Sequence, residues 1–217
     1  MTSLRILVVD DHAVVRRGVR SLLESHEGWE VCGEATTGRD AVAQSLRLRP
    51  DVVVMDLSLP ELNGLDATRQ ILKDSPRTEI LVLTMHHSEE LARDVLQAGA
   101  RGYVLKSDAD ESLIAAVESL RQHKPFLASR VTEFVLDDYL RRTDTRDDGV
   151  AHDAVTARER EIMQLLAEGK SNKEAASTLG ISVKTIEAHR ANIMRKLRLH
   201  SVSDLVRYAI RNKIAQP

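Results

Sequence analysis

The N-terminal half of the chain alternates short apolar runs with longer segments in which apolar residues recur at helical spacing. The apolar runs are predicted strands, at residues 4–9, 30–34, 52–55, 80–84 and 102–105. Residues 52–55 are apolar at consecutive positions, which is typical of a parallel strand covered by helices on both faces. Pro50, Pro76 and Gly99 indicate where three of the intervening helices end. The pattern predicts an α/β, doubly wound domain with a five-stranded parallel sheet.

The C-terminal part of the chain has a different pattern. Residues 129–142 have helical spacing, and the polar run at 143–149 cannot bury apolar area. Residues 156–217 then predict four helices, with short turns at Gly169, Gly180 and residues 199–201. We therefore expect an N-terminal domain at residues 1–124, a partly helical linker at 125–150 and an all-α domain at 151–217.

The charges are distributed unevenly between these domains. The chain of 217 residues has a net charge of −2, but the segment from Ala151 onward has 12 Lys/Arg and 7 Asp/Glu, which leaves −7 for the rest. A basic C-terminal domain suggests a polyanionic partner for that domain. No apolar run approaches the ~20 residues of a membrane span, no basic leader opens the chain, and Cys32 is the single cysteine. We expect a cytoplasmic protein without disulfides.

Candidate chemistry lies where the predicted strands end. Asp10 and Asp11 follow the first strand, Asp56 the third and Lys106 the fifth, while Thr84 ends the fourth. The carboxyl ends of parallel strands share one edge of the sheet, so these groups should converge. Carboxylates suit Mg²⁺, and a hydroxyl with an ammonium suits a phosphate. Each residue alone has an ordinary interpretation as a cap or strand residue, but together they favour phosphoryl transfer to Asp56.

Five segments resemble the receiver domain of two-component response regulators, over residues 4 to about 123. They are VVDDH (8–12), MDLSLP (55–60), NG (63–64), LT (83–84) and GYVLK (102–106). The resemblance implies a flavodoxin-like fold, a sensor histidine kinase as phosphoryl donor, and Asp56 as acceptor. It also implies that Asp11, Asp56 and the Ser58 carbonyl bind Mg²⁺, and that Asp10 supports the ion through water. Ser107 departs from the family, since many receivers have a proline after the lysine.

The same resemblance assigns roles to residues around this site. Thr84, Lys106 and Tyr103 would bind the phosphoryl group or change state with it, although Tyr103 could simply be a half-buried strand aromatic. Ser58 and His86 stand two positions after Asp56 and Thr84, where they could flank the water that hydrolyses the phosphoryl group. An exposed loop position is the alternative for both.

A helix-turn-helix spacing follows in the C-terminal domain. Ser171 begins one helix, Gly180 ends it and Ser182 begins a second, in which Val183, Ile186, Ile193 and Leu197 share an apolar stripe. The other faces of this second helix can enter a major groove or meet phosphates. The predicted DNA-binding residues are Lys184, Thr185, Glu187, Ala188, Arg190, Ala191 and Arg195.

The segments TARERE (156–161), GKSNKE (169–174) and VKTIEAHR (183–190) resemble the LuxR-type domain of NarL/FixJ regulators, over residues 155 to about 214. In that family Thr156, Glu159 and His189 are structural, and Thr156 with Glu159 also matches a capping box. The resemblance implies a homodimer on promoter half-sites, with Leu205, Val206 and Ala209 of the last helix at the interface. Core packing would explain these three equally well.

Three functions account for the sequence to different degrees. The leading hypothesis is a transcription factor, not a turnover enzyme, that dimerises on phosphorylation of Asp56. A hydrolase with an aspartyl-phosphate intermediate, like the haloacid dehalogenases, should have a second Asp where Ser58 stands. The third is a DNA-binding protein whose receiver acts without phosphorylation, which the complete acidic site argues against.

Overall fold

The structure of the protein, a computed structural model, describes residues 3–85, 88–127 and 155–216. The chain forms two compact units, an N-terminal α/β unit and a C-terminal helical unit. The predicted linker helix at 129–142, the polar run at 143–149, His86 and His87 lie outside the described residues. None of the described helices is long and apolar enough to span a membrane.

The N-terminal unit contains a parallel sheet with strand order β2-β1-β3-β4-β5-β6. The strands are β1 Leu4–Val9, β2 Trp29–Ala35, β3 Val52–Met55, β4 Glu79–Thr84, β5 Gly102–Leu105 and β6 Phe126–Leu127. The five predicted strands are confirmed. The sixth strand was not predicted, because a segment of two residues is too short to show a pattern of apolar and polar positions. Its two residues pair with Gly102 and Tyr103 of β5.

Helices cover the sheet as the pattern predicts. They are α1 Ala13–Glu24, α2 Gly38–Leu48, α3 Gly64–Asp74, α4 Glu89–Gln97 and α5 Ala109–Arg121, with a 3₁₀ turn at Lys106–Asp108. Alternate strand residues such as Val8, Val54 and Leu83 form one core with the buried sides of α1 and α5. The intervening residues of β3, β4 and β5 are also buried, so the centre of the sheet is covered on both faces.

The strand order reverses at β1, which lies between β2 and β3. In an open parallel sheet, the chain leaves the two central strands toward opposite faces at such a point and opens a crevice at their carboxyl ends. Asp10 and Asp56 are the residues that follow β1 and β3. The topology therefore places two carboxylates at the crevice before any side-chain packing is considered.

The C-terminal unit has four described helices, as predicted: α6 Ala157–Ala167, α7 Asn172–Leu179, α8 Val183–Lys196 and α9 Val202–Arg211. Their apolar sides meet in one core that includes Ile162, Ala175 and Ile193. Thr156 with Glu159, and Ser171 with Glu174, form capping boxes. Gly180 ends α7 with φ of +64°, a left-handed conformation that glycine adopts at little cost.

Candidate functional site

Three charged residues that follow different strands meet at the carboxyl edge of the sheet. Val9 pairs with Met55, so the next residues, Asp10 and Asp56, are neighbours. The Lys106 Nζ atom lies 2.6 Å from Asp10 Oδ2 and 2.8 Å from Asp56 Oδ2. One ammonium group therefore bridges two carboxylates, and the predicted convergence is confirmed for these three residues.

This bridge is buried, so its charges interact through little water. The Asp10 and Asp56 residues are 3% and 2% exposed. Burial raises the pKa of the Asp56 carboxyl, and the bond from Lys106 opposes that rise. Burial alone would lower the pKa of Lys106, but its bonds to Asp10 and Asp56 outweigh this effect and the pKa is raised. The lysine is thus held charged between the carboxylates.

Asp11 lies beside this bridge and is more open to solvent. Its Oδ1 is 2.7 Å from the Nδ1 of His12. One possible ligand atom each from Asp10, Asp11, His12 and Asp56 lies within 4.8 Å of the others. Carboxylate oxygens are the donors that hard divalent cations prefer, and the exposure of Asp11 leaves room for water ligands, so the donor set fits Mg²⁺. Ser58, the remaining predicted ligand, is half-buried, and its backbone N–H donates to the Asp56 carboxylate.

The loop after β3 holds the Asp56 carboxylate in place. The Leu57 backbone N–H donates to Asp56 Oδ1 at 2.8 Å, and the Gly64 N–H donates to the Leu57 carbonyl at 3.0 Å. A Cβ atom on Gly64 would overlap the Asp56 carbonyl oxygen and would lie 2.8 Å from Leu57 Cα. Only glycine at position 64 allows the backbone of this loop to pass so close to the backbone of Asp56 and Leu57.

Thr84 and Tyr103, the predicted switch residues, are both buried. Thr84 pairs with Leu105, and strand side chains alternate, so Thr84, Tyr103 and Leu105 share one face of the sheet. Thr84 stands at the carboxyl end of β4 with the acidic residues, whereas Tyr103 lies two residues before the end of β5. Burial raises the pKa of Tyr103 to about 12, so its phenol is neutral throughout the physiological range.

The helix α8 presents most of its predicted DNA-binding residues to solvent. Lys184, Glu187, Ala188, Ala191 and Arg195 are exposed, while Thr185 and Arg190 are half-buried. The Thr185 N–H donates to the Ser182 hydroxyl at 3.1 Å and so completes the N-cap of the helix. Among the described residues, the side chains of Lys184 and Glu187 have no hydrogen-bond or ion-pair partner.

Two predictions concern apolar positions in this unit. Ile186 and Ile193 are fully buried, as the stripe predicts, but Val183 is 39% exposed and is not part of the core. In α9, Leu205 and Ala209 are fully buried within their own unit, so packing in the core accounts for both, and their role at a dimer interface stays a prediction. Val206, the third predicted dimer residue, is half-buried.

Two family models match the chain. One is the response regulator receiver domain, over residues 6–118, and the other is the luxR family of bacterial regulatory proteins, over residues 153–209. The oxygen regulatory protein NreC of Staphylococcus epidermidis is 40% identical over 217 residues, which cover 98% of this chain and 100% of NreC. The chain is a LuxR-family response regulator.

Solved structures resemble this response regulator over both units. The RcsB response regulator of Salmonella typhimurium, from a study of its DNA interaction, is 28% identical, with a TM-score of 0.59 and coverage of 96% of this chain and 98% of RcsB. A structure of two RcsB dimers bound to two parallel DNAs is 27% identical, with a TM-score of 0.58 and coverage of 95% and 98%. The receiver and the LuxR-type DNA-binding fold are both confirmed.

Sequence reasoning missed two contributors to the acidic edge. His12 received no role, although its ring nitrogen lies against Asp11; its adjacency to the Asp pair was the available signal. Arg16 was also missed. Its Nη1 donates to the Asp10 carbonyl at 2.8 Å, and the sequence offers no sign of that contact because Arg16 and Arg17 are alike in type and adjacent in α1.

Proposed function

We propose that this response regulator accepts a phosphoryl group on Asp56 from a sensor histidine kinase and that the modification controls DNA binding by its C-terminal domain. The observation that carries the proposal is the buried Lys106 ammonium between Asp10 and Asp56. It holds a cation beside the carboxylate that would be modified. The proposed domain limits are 1–124 and 151–217, with a linker at 125–150, and the site of action is the cytoplasm, where the DNA is.

In this proposal Asp10, Asp11, Asp56 and the Ser58 carbonyl would hold Mg²⁺. A bound Mg²⁺ supplies positive charge that offsets the carboxylates and the incoming phosphoryl oxygens. An Asp56 carboxylate oxygen forms the new O–P bond while the bond from phosphorus to the donor breaks, and the electron pair leaves with the donor. The Lys106 ammonium neutralises a phosphoryl oxygen, and the Thr84 hydroxyl donates a hydrogen bond to one.

The output of the site is a change in equilibrium rather than repeated turnover. A phosphoryl group adds about 1.5 to 2 negative charges, which would rearrange Thr84 and Tyr103 and favour a homodimer on promoter half-sites. A coupling free energy of about 1 to 3 kcal/mol would change DNA affinity by roughly 5- to 150-fold. The structure of RcsB dimers bound to DNA supports this assembly. Lys184, Thr185, Glu187, Ala188, Arg190, Ala191 and Arg195 would contact the DNA.

The test is phosphorylation of the full chain with a small acyl phosphate and Mg²⁺, followed by intact mass and oligomeric state. We expect an adduct of about 80 Da, the mass of one phosphoryl group, and a shift toward dimer. Asp56→Asn should abolish both, whereas Asp74→Asn, which changes an exposed carboxylate on α3, should change neither. Absence of the adduct in the wild type would refute the proposal.

A phosphatase assay separates this proposal from a hydrolase. We expect no release of phosphate from phosphomonoesters beyond one equivalent per chain, because Ser58 offers no carboxylate where a hydrolase would have its second aspartate. Sustained Asp56-dependent turnover would favour the hydrolase instead.

A further inference from the structure

Arg16 connects α1 to the backbone of the acidic edge. Its Nη1 donates to the Asp10 carbonyl at 2.8 Å, and its Nε donates to Glu34 Oε2 at 3.1 Å, near the end of β2. The side chain is 15% exposed. One guanidinium therefore joins the ends of two neighbouring strands, and it does so without contacting any of the carboxylates predicted to bind metal or phosphoryl group.

The contact to the Asp10 carbonyl matters because Asp11 is the next residue of the chain. The carbonyl of Asp10 and the amide of Asp11 belong to one planar peptide, so a bond to that carbonyl fixes the direction in which Asp11 leaves. Asp10 is also held by its own N–H, which donates to Ala35, and by its Oδ1, which accepts from the His12 N–H at 2.8 Å. Arg16 supplies the remaining contact to the main chain of this turn.

Glu34 holds Arg16 in its place. Glu34 also accepts a bond from Arg20 Nη1 at 2.9 Å, and Arg20 in turn pairs with Glu24. Bonds from Arg20, and then from Arg16, lower the pKa of Glu34 despite its partial burial. The carboxylate thus stays ionised and presents an acceptor to the planar fork of Arg16, whose other donor meets the Asp10 carbonyl.

We propose that Arg16 is a positioning residue for the phosphorylation site, which sets the orientation of the Asp10–Asp11 turn and thereby the affinity of the acidic residues for Mg²⁺. The inference rests on the proposed function. Groups that orient metal ligands without touching the metal typically change affinity by about 10- to 100-fold when they are removed. Arg16 fits that description, because it acts on Asp11 through the peptide that precedes it.

The sign of the effect separates positioning from simple electrostatics. Removing a positive charge near a cation site should strengthen cation binding by Coulomb's law. Removing a positioning contact should weaken it. Arg17, the next residue of α1, is exposed, and among the described residues its side chain donates only to the carbonyl of Ala13, in its own helix, at 3.3 Å. Arg17→Met therefore removes the same charge without disturbing the Asp10–Asp11 peptide.

The experiment measures Mg²⁺ binding to the full chain by calorimetric titration, with wild type, Arg16→Met, Arg16→Lys and Arg17→Met. We expect the dissociation constant to rise roughly 10-fold or more in Arg16→Met and to stay the same or fall in Arg17→Met. Arg16→Lys keeps the charge but lacks the fork that joins Asp10 to Glu34, so we expect a several-fold rise.

Two further readouts exclude a general loss of structure. Thermal unfolding in EDTA reports the stability of each variant without metal, and phosphorylation rates at increasing Mg²⁺ should show a raised half-saturation point with a limiting rate close to that of the wild type. Wild-type affinity in Arg16→Met, tighter binding, or equal weakening in Arg17→Met would overturn the inference. Should Arg16→Met not fold, wild-type affinity in Arg16→Lys would overturn it.

Failure of the underlying function gives a different result. If the wild type itself neither binds Mg²⁺ nor accepts a phosphoryl group, the proposed function fails. If the wild type does both and Arg16→Met matches it, only the role of Arg16 is refuted.

Discussion

The acidic edge of the receiver and the exposed face of α8 handle charge in opposite ways. Asp10, Asp56 and Lys106 are largely buried and form ion pairs with one another. Lys184 and Glu187 are exposed and, within the described part of the chain, have no partner of their own. The charges of the acidic edge are therefore paired within the receiver, whereas these two charges of α8 remain available to a partner.

This difference has consequences for mutations. A buried charge that loses its partner is costly, so changes at the acidic edge should alter the stability of the receiver as well as its chemistry. An exposed side chain without contacts contributes little to folding, so changes on α8 should alter DNA binding alone. The largest effects on stability are therefore expected at the acidic edge and the smallest on α8.

Lys106→Met should have the largest effect. It leaves two buried carboxylates facing each other, and the expected loss is about 3 to 5 kcal/mol of the free energy of unfolding at neutral pH. Urea unfolding of the receiver measures it. Lys124→Met, which changes an exposed lysine, should stay within about 0.5 kcal/mol of the wild type.

The pH dependence of that loss depends on the pKa of Asp56. Burial already raises this pKa above 3.8, and Lys106 opposes the rise, so Lys106→Met should raise it further. A carboxyl whose folded pKa exceeds its unfolded value destabilises the fold above the folded pKa and ceases to do so once the pH falls below the unfolded value. The deficit should therefore shrink in acid. A deficit that is constant with pH would show that lost packing, not charge, is the cause.

Gly64→Ala should have an intermediate effect. Its methyl group would overlap the Asp56 carbonyl, and forced overpacking costs about 1 to 3 kcal/mol. The displaced loop should also slow phosphorylation of Asp56. Gly18→Ala is the matched control, because Gly18 lies inside α1 with nothing within 4 Å of the added methyl, and there alanine should stabilise the helix by up to about 1 kcal/mol. Equal effects at both positions would contradict the assigned role of Gly64.

Changes on α8 should have the smallest effect on folding. We expect Lys184→Ala and Glu187→Ala to leave the stability of the C-terminal unit within about 0.5 kcal/mol. Lys184→Ala should weaken binding to all sequences and reduce the slope of log K against log salt by about 0.9, if the lysine meets one phosphate. Glu187→Ala should relax preference at one base pair by about 1 to 3 kcal/mol, because a carboxylate can accept from cytosine N4. Binding titrations at several salt concentrations measure the slope, and selection from random duplexes measures the preference at the base pair.

A uniform loss of affinity in Glu187→Ala would remove the distinction between these two residues. Cation contacts and base contacts would then be indistinguishable on this face, and the carboxylate would have no role in sequence preference. Loss of folding in either variant would break the comparison itself.

The strands and the helix boundaries were predictable because local rules determine them. Consecutive apolar residues indicated β3, Ser171 and Gly180 bounded α7, and the Thr156–Glu159 box began α6. The short strand β6 was not predictable, since its pairing with β5 depends on a neighbour distant in sequence. Leu205 was ambiguous for a related reason, because an apolar stripe does not reveal whether it packs within its own unit or against another chain.

The sequence by itself determined which chemical groups follow which strand, and a parallel sheet then brings Asp10, Asp56 and Lys106 to one edge. Only the tertiary structure decided how these groups are held. In the folded protein Arg16, and not Arg17, donates to the Asp10 carbonyl, and the His12 ring lies against Asp11. The physical reason is that strand and helix signals depend on residues a few positions apart in sequence. Side-chain contacts depend instead on how separate elements pack in space.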